Sequence, residues 1–226
     1  MKKRFTKCFF KTLRFILRIL TPAYKVCPSS NIDSPAVYLI NHQNTRGPLL
    51  NVLWFNKPVR MWVLSVFCNH KTCFRQYYDY TFTKRFGIPK FIAAIFVFPL
   101  SFIVSAIMQG MEAIPVYRRS REILKTFSES IKTLINKQSI ILSPTVDYTN
   151  SISNMGEMYK GFLDLEKYYI RETGRHLPFV PLHISNDKRT IFVGEPIYFG
   201  SEEGYKQEKE KAFIKLKKEF SRLETI

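Results

Sequence analysis

Acidic residues are scarce in the first half of the chain. Residues 1–111 contain two, Asp33 and Asp79, beside 16 basic residues, whereas residues 112–226 contain 16 acidic and 19 basic residues. The net charge of +17 is therefore divided into +14 and +3, which excludes a soluble enzyme that is uniformly basic. A positive field attracts polyanions, and charge alone does not choose between nucleic acid and the anionic lipids of the cytoplasmic leaflet.

Cysteine is scarce as well. The four cysteines, Cys8, Cys27, Cys68 and Cys73, lack the paired spacing of a small disulfide-linked scaffold, and a chain of 226 residues with 46% hydrophobic content can bury one sizeable core without disulfides. The sequence therefore predicts a single domain in a reducing compartment. Cys68, His70 and Cys73 lie close together, but no second cluster of ligands accompanies them, so no zinc site is predicted.

The first twenty residues alternate basic and apolar side chains at helical spacing. The basic residues are Arg4, Lys7, Lys11, Arg14 and Arg18. The apolar face between them carries Phe5, Cys8, Phe9, Leu13, Ile16, Leu17 and Leu20. This pattern predicts an amphipathic helix over residues 2–20 that lies in the membrane interface, with residues 1–24 as a membrane anchor. A core-packed helix with a solvated basic face is the alternative, whereas a signal peptide is excluded because cations interrupt the apolar run.

Residues 91–111 contain no charged residue over 21 positions, which is long enough for a helix to span a bilayer. Pro99 lies near the centre and Ser101 and Ser105 follow it, so a broken or re-entrant helical pair fits as well as a straight span. A crossing would put the two flanking halves of one small α/β unit on opposite sides of the membrane. We therefore expect a membrane-associated segment that inserts shallowly or packs into the core.

The rest of the chain alternates short apolar runs with helical patterns, which is typical of a largely parallel central sheet covered by helices. The candidate strands are residues 36–40, 61–65, 113–117, 139–142, 179–184 and 190–193. We predict a helix over residues 123–135 capped by Ser120, a second over residues 156–172 that stops at Gly174, and a solvated surface helix over residues 202–224. The fold class is therefore α/β.

A histidine follows the first predicted strand directly. The segment reads Asn41-His42-Gln43-Asn44-Thr45-Arg46-Gly47-Pro48, and Pro48 suits the first turn of a helix. His42 would then lie in the turn at the carboxyl end of a buried strand, where open α/β sheets place their binding crevice. This setting favours a functional histidine over an ordinary polar surface residue.

The segment resembles the first motif of the glycerol-3-phosphate and lysophosphatidic acid acyltransferase family, in which Asn-His is followed by four residues and then Asp. Later segments resemble the remaining motifs in the same order, so that the resemblance covers residues 35–200. They are residues 110–118 with the core Ile114-Pro115-Val116-Tyr117-Arg118, then Ser143-Pro144-Thr145-Val146, Tyr159-Lys160-Gly161-Phe162 and Phe179-Val180-Pro181-Leu182-His183-Ile184. The order and spacing of these segments carry the resemblance.

The resemblance implies a role for each matching residue. His42 would be the general base that takes the proton from a glycerol hydroxyl as this attacks an acyl thioester. Arginine and the third motif hold the phosphate of the acceptor in the family, which assigns that role to Arg118, although Arg118 could also be a surface cation among Arg119 and Arg121. The residues predicted to bind the acceptor are Asn44, Arg46, Arg118, Pro144 and Thr145.

Two positions depart from the family pattern. Gly47 stands where the family has the Asp that orients the histidine, and Thr145 stands where it has Glu. Loss of an orienting carboxylate lowers turnover by about four decades in serine-protease triads, so the unmodified mechanism is not expected at full speed. Asp147 is a candidate substitute for the orienting group, as are Asn44 and a backbone carbonyl, while Arg46 would lower the basicity of His42 by like-charge repulsion.

Together these patterns predict an O-acyltransferase, similar to 1-acylglycerol-3-phosphate acyltransferases, whose acyltransferase-like domain spans residues 25–226. It would move an acyl group from acyl-CoA or acyl-carrier protein to a lysophospholipid or glycerol-phosphate acceptor at the cytoplasmic face of a membrane, with anionic lipids as partners and no metal or bound cofactor. One alternative is a catalytically inactive lipid-binding protein of the same fold, which Gly47 and Thr145 favour. A nucleic-acid binder is disfavoured because no nucleic-acid motif accompanies the charge.

Overall fold

The computed structural model describes residues 2–28, 32, 35–40, 46–118, 120–145, 158–200 and 202–226, apart from the side chains of residues 2, 3 and 46. The chain divides into two compact units. The first unit consists of Met1–Ile16 and Arg60–Thr126, and the second of Leu17–Val59 and Phe127–Ile226. The predicted domain boundary after residue 24 stays a prediction.

Within the described residues there are seven α-helices and seven strands. The helices are α1 (Lys2–Leu20), α2 (Arg46–Trp54), α3 (His70–Arg75), α4 (Lys90–Gly110), α5 (Ile123–Ile135), α6 (Leu165–Thr173) and α7 (Tyr205–Glu224). The strands are β1 (Lys25–Pro28), β2 (Val37–Ile40), β3 (Val59–Leu64), β4 (Ile114–Val116), β5 (Ser139–Leu142), β6 (Phe179–Ser185) and β7 (Thr190–Val193). The described part also has two 3₁₀-helices, Ser65–Cys68 and Gly161–Asp164, and a π-helix, Gln76–Arg85.

All six predicted strands are present, with ends that agree within two residues. β1 was not predicted, because its sequence, Lys25-Val26-Cys27-Pro28, contains no extended apolar run. All four of these residues are exposed. The strand lies at the edge of a sheet, where it pairs in parallel with β7 and ends at Pro28. Sequence periodicity reveals strands whose side chains are buried, and β1 buries none of its residues.

The sheet of the second unit has the strand order β1-β7-β6-β2-β5. β6 and β7 are antiparallel, and the other neighbours are parallel. All four residues of β2 are fully buried, as expected for an inner strand of a parallel sheet that is covered on both faces. The predicted largely parallel architecture is thereby confirmed for this unit, with the antiparallel pair β6 and β7 as the exception.

The second and third predicted helices differ from expectation, the second in where it begins and the third in its burial. α6 begins later than predicted, because Met158 pairs with Thr145 in a β-bridge and the helical backbone starts at Gly161. It ends as predicted at Gly174, whose φ of 67° lies in the left-handed region that glycine favours. The C-terminal helix α7 was predicted to be a solvated surface helix, but one of its faces is buried. Its apolar residues recur at three- and four-residue intervals: Ala212, Phe213, Leu216, Phe220 and Leu223.

The first unit is built on the parallel pair β3 and β4, with Trp62 opposite Ile114 and Leu64 opposite Val116. The connection between these strands contains the first 3₁₀-helix, α3, the π-helix and α4. α4 is one continuous helix through Pro99, so the predicted alternative of a broken pair is wrong. Ser120 caps α5 as predicted, since its Oγ accepts a hydrogen bond of 3.1 Å from the amide of Glu122.

Gly110 is the point where α1 packs against α4 within the first unit. A Cβ added to Gly110 would lie 2.6 Å from the Cβ of Phe10 and would clash with the backbone carbonyl of Thr6. Lys7 forms an ion pair of 2.8 Å with Glu112 beside this contact. The absence of a side chain at residue 110 therefore permits the two helix backbones to approach closely.

We expect Gly110→Ala to lower the free energy of unfolding by about 1–3 kcal/mol, because neither backbone can move away without losing the surrounding packing. Gly161→Ala is the matched control, since a Cβ there would meet its nearest neighbour, Tyr159, at an ordinary 3.7 Å. Denaturant unfolding of the two variants measures the difference. Equal stabilities would contradict the close packing of α1 on α4.

Candidate active site

The carboxyl ends of β2 and β5 lie at one edge of the sheet in the second unit. The two strands are parallel neighbours, with Tyr38 opposite Ile141 and Leu39 opposite Leu142. The chain continues from β2 into residues 41–45 and from β5 into Ser143. Since α/β sheets bind their ligands beyond the carboxyl ends of the strands, this edge is the candidate active site.

Four of the predicted site residues are not placed by the structure. His42, Asn44 and Asp147 lie outside the described residues, and the side chain of Arg46, the first residue of α2, lies outside them too. Their predicted roles stay predictions. The structure describes the elements that flank residues 41–45, which are the buried strand β2 before them and the start of α2 after them.

Asn51 is a buried polar residue of α2 that lies outside the predicted motifs. Its Nδ2 donates a hydrogen bond of 3.0 Å to the carbonyl of Gly47, while its Oδ1 has no hydrogen-bond partner in the described structure. A buried oxygen without a donor costs about 1–3 kcal/mol. The four-residue spacing, which puts Gly47 and Asn51 on one helix face, is the available sequence signal. Asn51 thus offers an acceptor one turn after the position where the acyltransferase motif has Asp.

Pro144 and Thr145, from the segment that resembles the third motif, are both buried at this edge. The hydroxyl oxygens of Thr145 and Ser143 are 2.7 Å apart, and the amide of Tyr159 donates to the carbonyl of Pro144 at 3.0 Å. Thr145 is only 4% exposed and brings no negative charge. The prediction that these two residues contact an acceptor stays a prediction, and the hydroxyl of Thr145 already has a protein partner.

Two titratable side chains of this sheet are desolvated. His183 lies on β6 one residue beyond Leu182, which is opposite Ile40 of β2, and burial lowers the pKa of its imidazole. Burial also raises the pKa of the Tyr38 phenol to about 12, so this hydroxyl stays protonated at neutral pH. His183 is therefore a neutral imidazole near the carboxyl edge, and the resemblance of its segment to the fourth motif implies no role for it.

Arg118 lies in the first unit, two residues beyond the end of β4, and is exposed. Thr126 holds the end of this strand: its hydroxyl donates to the carbonyl of Pro115 at 2.8 Å and accepts from the amide of Tyr117 at 3.3 Å. An exposed guanidinium after a fixed strand end can bind a phosphate in two-pronged fashion. Its predicted role in holding the acceptor stays a prediction.

Lys160 and His70 have partners within their own units. Lys160, from the Lys-Gly segment, binds both carboxylate oxygens of Glu210 at 2.7 and 2.6 Å. His70 Nδ1 lies 2.9 Å from Ser101 Oγ, and its ring stacks on Phe102 at 3.5 Å between centroids. In the part of the chain that the structure describes, no group of three or more His, Cys, Asp or Glu side chains is placed to hold a metal ion.

The chain is similar in structure to the 1-acyl-sn-glycerophosphate (LPA) acyltransferase PlsC from Thermotoga maritima. The two align with a TM-score of 0.50 at 13% sequence identity, over 99% of this chain and 80% of that one. No protein-family model matches the sequence, and a search of curated proteins returns no match. At this level of identity the likeness shows the fold, which is the α/β acyltransferase fold of a mostly parallel sheet flanked by helices.

Proposed function

We propose that this protein is a membrane-associated O-acyltransferase that moves an acyl group from acyl-CoA or acyl-carrier protein to a hydroxyl of a lysophospholipid-type acceptor at the cytoplasmic face. One observation carries the proposal: Asn41-His42 follows the buried strand β2 directly, in a chain that aligns with an acyltransferase structure over 99% of its length. The catalytic histidine of the motif would thus lie at the ligand-binding edge of the sheet.

The proposed reaction is the attack of the acceptor hydroxyl on the thioester carbonyl. His42 accepts the hydroxyl proton, the new ester bond forms, and the C–S bond breaks to release the thiol of the donor, which is protonated as it leaves. Arg118 balances the phosphate charge of the acceptor. This reaction needs no bound cofactor, since the acyl group arrives already activated as a thioester.

The test is acyl transfer by the purified full chain, with labelled acyl-CoA or acyl-carrier protein and a panel of lysophospholipids. We expect slow but measurable transfer by the wild type, loss of at least about a hundredfold in His42→Ala, and near wild-type activity in His183→Gln. The second variant is the matched control, because His183 is the neutral imidazole that the structure describes close to the same edge. Transfer that survives in His42→Ala but not in His183→Gln would overturn the assignment of the base.

The second candidate function is a lipid-binding protein without catalytic activity. The burial of Thr145 and the bond of its hydroxyl to Ser143 favour it, since neither a carboxylate nor a free hydroxyl is offered at that point. Absence of transfer to every lysophospholipid, together with undiminished binding of anionic vesicles by both wild type and His42→Ala, would make this function the better description.

A further inference from the structure

The connection between β3 and β4 is a helical hairpin with two unlike legs. The first leg, Ser65–Arg85 (the polar leg), contains the 3₁₀-helix, α3 and the π-helix, and α4 is the second leg. The legs run antiparallel: Gln109 Nε2 donates to the carbonyl of Cys68 at 3.1 Å near the base, and Ser101 meets His70 further along. Four residues, 86–89, turn the chain at the tip.

α4 is packed in the opposite sense from a helix of a water-soluble protein. Apart from Val97, the residues it buries are small or polar: Ala93, Ser101, Ser105 and Gly110. The large apolar residues it exposes are Phe91, Ile95, Phe96, Phe98, Phe102 and Ile103. Small residues toward the protein and large apolar residues outward are typical of a helix whose surroundings are lipid. The stripe of Phe91, Ile95, Phe98 and Phe102 at four- and three-residue intervals forms one continuous face (the α4 stripe).

The polar leg carries charged side chains, which α4 lacks after Lys90. Lys71, Arg75 and Asp79 are exposed along it. Lys84, Arg85 and Lys90 are exposed around the tip. Residues 65–110 contain five cations and one acid, which complement the negative surface of an anionic leaflet. An apolar protein surface would leave these charges without a counterpart. The bilayer is therefore the occupant that fits both the α4 stripe and its charged surroundings.

Among the described helices, α4 alone is long and apolar enough to cross a membrane. The geometry of the hairpin, however, is incompatible with a favourable crossing. Its two ends join β3 and β4, which are paired neighbours in one sheet, so the chain leaves and returns on the same side. A hairpin that spanned the bilayer would carry Lys71, Arg75 and Asp79 into hydrocarbon and the three cations of the tip through it, which is unfavourable for every one of them.

We infer that the hairpin of residues 65–110 lies parallel to the membrane plane, with the α4 stripe among the acyl chains of one leaflet and the polar leg at the headgroups. This rests on the membrane association proposed above and is independent of acyl transfer. It makes α4 a monotopic anchor that holds the strand pair β3 and β4 at the bilayer surface.

The test is binding of the full chain to vesicles of phosphatidylcholine and phosphatidylglycerol, without an acyl donor. Ile95→Glu with Phe98→Glu should lower binding about a thousandfold or more, because two charges would enter the acyl region. Thr72→Glu with Tyr80→Glu, which changes the net charge equally on the polar leg, should lower it by about thirtyfold at low salt, and by less as salt screens the charges. All four positions border solvent in the structure. Circular dichroism of each pair checks that the fold survives the loss of the Thr72 hydrogen bonds to Val66 and Asn69 and of the Phe98 contact with His70. Equal losses, or none, would overturn the inference.

A labelling measurement separates lying from crossing. Single cysteines at Lys84 and at Phe98, in a chain whose four native cysteines are replaced, are treated with a membrane-impermeant maleimide on intact vesicles. We expect labelling at residue 84 and protection at residue 98. Labelling at residue 84 only after the vesicles are lysed would establish a crossing and overturn the inference. Self-association of the protein in the absence of vesicles, if Ile95→Glu abolished it, would assign the α4 stripe to a second copy of the chain. Since no transfer is measured, failure here and failure of the proposed enzyme activity are distinguishable.

Discussion

Exchanging Arg4 and Lys11 for glutamate weakens binding to anionic vesicles by about a thousandfold. Each cation near an anionic surface contributes about 1 kcal/mol, so reversing two of them removes about 4 kcal/mol, and every 1.4 kcal/mol is a factor of ten. Both residues are exposed on α1. Co-sedimentation with vesicles at low and high salt measures the effect, which should shrink as salt screens the charges.

Arg4 and Lys11 are chosen because other cations of the predicted basic stripe have protein partners. Arg18 Nε donates to the carbonyl of Leu53 at 2.6 Å, and its guanidinium lies 5.4 Å from the ring centroid of Trp54. Lys7 is paired with Glu112. Substituting these residues would disturb the protein as well as the lipid contact, so the loss of binding would have two causes.

The control for charge reversal is Lys215→Glu with Lys218→Glu. Both lysines are exposed on α7 and lie in the second unit, and the pair changes the net charge by the same amount. We expect this control to keep most of its affinity for vesicles. If both double variants lost binding equally, the net charge of the protein would be responsible, and the interfacial role of α1 would be wrong.

The helices α1 and α4 could be located from the sequence, but their packing could not. Periodicity gave the bounds of α1 over residues 2–20, and the uncharged run gave α4 to within one residue of its start and end. Neither pattern reveals that Gly110 admits the backbone of Thr6, or that Lys7 and Arg18 find partners distant in sequence, because those contacts depend on the tertiary fold. The polar leg, which packs against α4, was not predicted either, because its residues lack a continuous apolar face.

At the candidate site, too, the strands could be located from the sequence, but the partners of the polar side chains could not. The strand positions and the motif order led to the edge formed by β2 and β5, because buried strands leave a clear apolar signal. The partners of buried polar groups leave none. Thr145 was expected to face an acceptor, yet its hydroxyl meets Ser143, and Asn51, which carries an oxygen without a hydrogen-bond partner, gave no signal beyond its spacing from Gly47.

Gly47→Asp should raise the turnover of acyl transfer, on the order of a hundredfold, which is part of the four decades that an orienting carboxylate supplies in serine-protease triads. Residue 47 lies in the first turn of α2, where a negative charge is favoured by the helix dipole. Gly47 is buried, so the new carboxylate needs hydrogen-bond donors. Nδ2 of Asn51, which now donates to the carbonyl of Gly47, is close enough in the chain to serve as one.

The comparison that decides the role of residue 47 uses Gly47→Asn and the double variant Gly47→Asp with His42→Ala, assayed beside the wild type with the same lysophospholipid. The amide supplies an acceptor of nearly the same shape without charge, so a smaller gain in Gly47→Asn would assign the effect to stabilisation of the imidazolium that His42 becomes when it takes the proton. The double variant should lose the whole gain, because a carboxylate can act only through the ring it orients. A gain that persisted without His42 would mean that the carboxylate itself is the base. No gain in Gly47→Asp, in a wild type that is already active, would mean that another group orients His42, and Asn51→Leu would then be the variant expected to lower turnover.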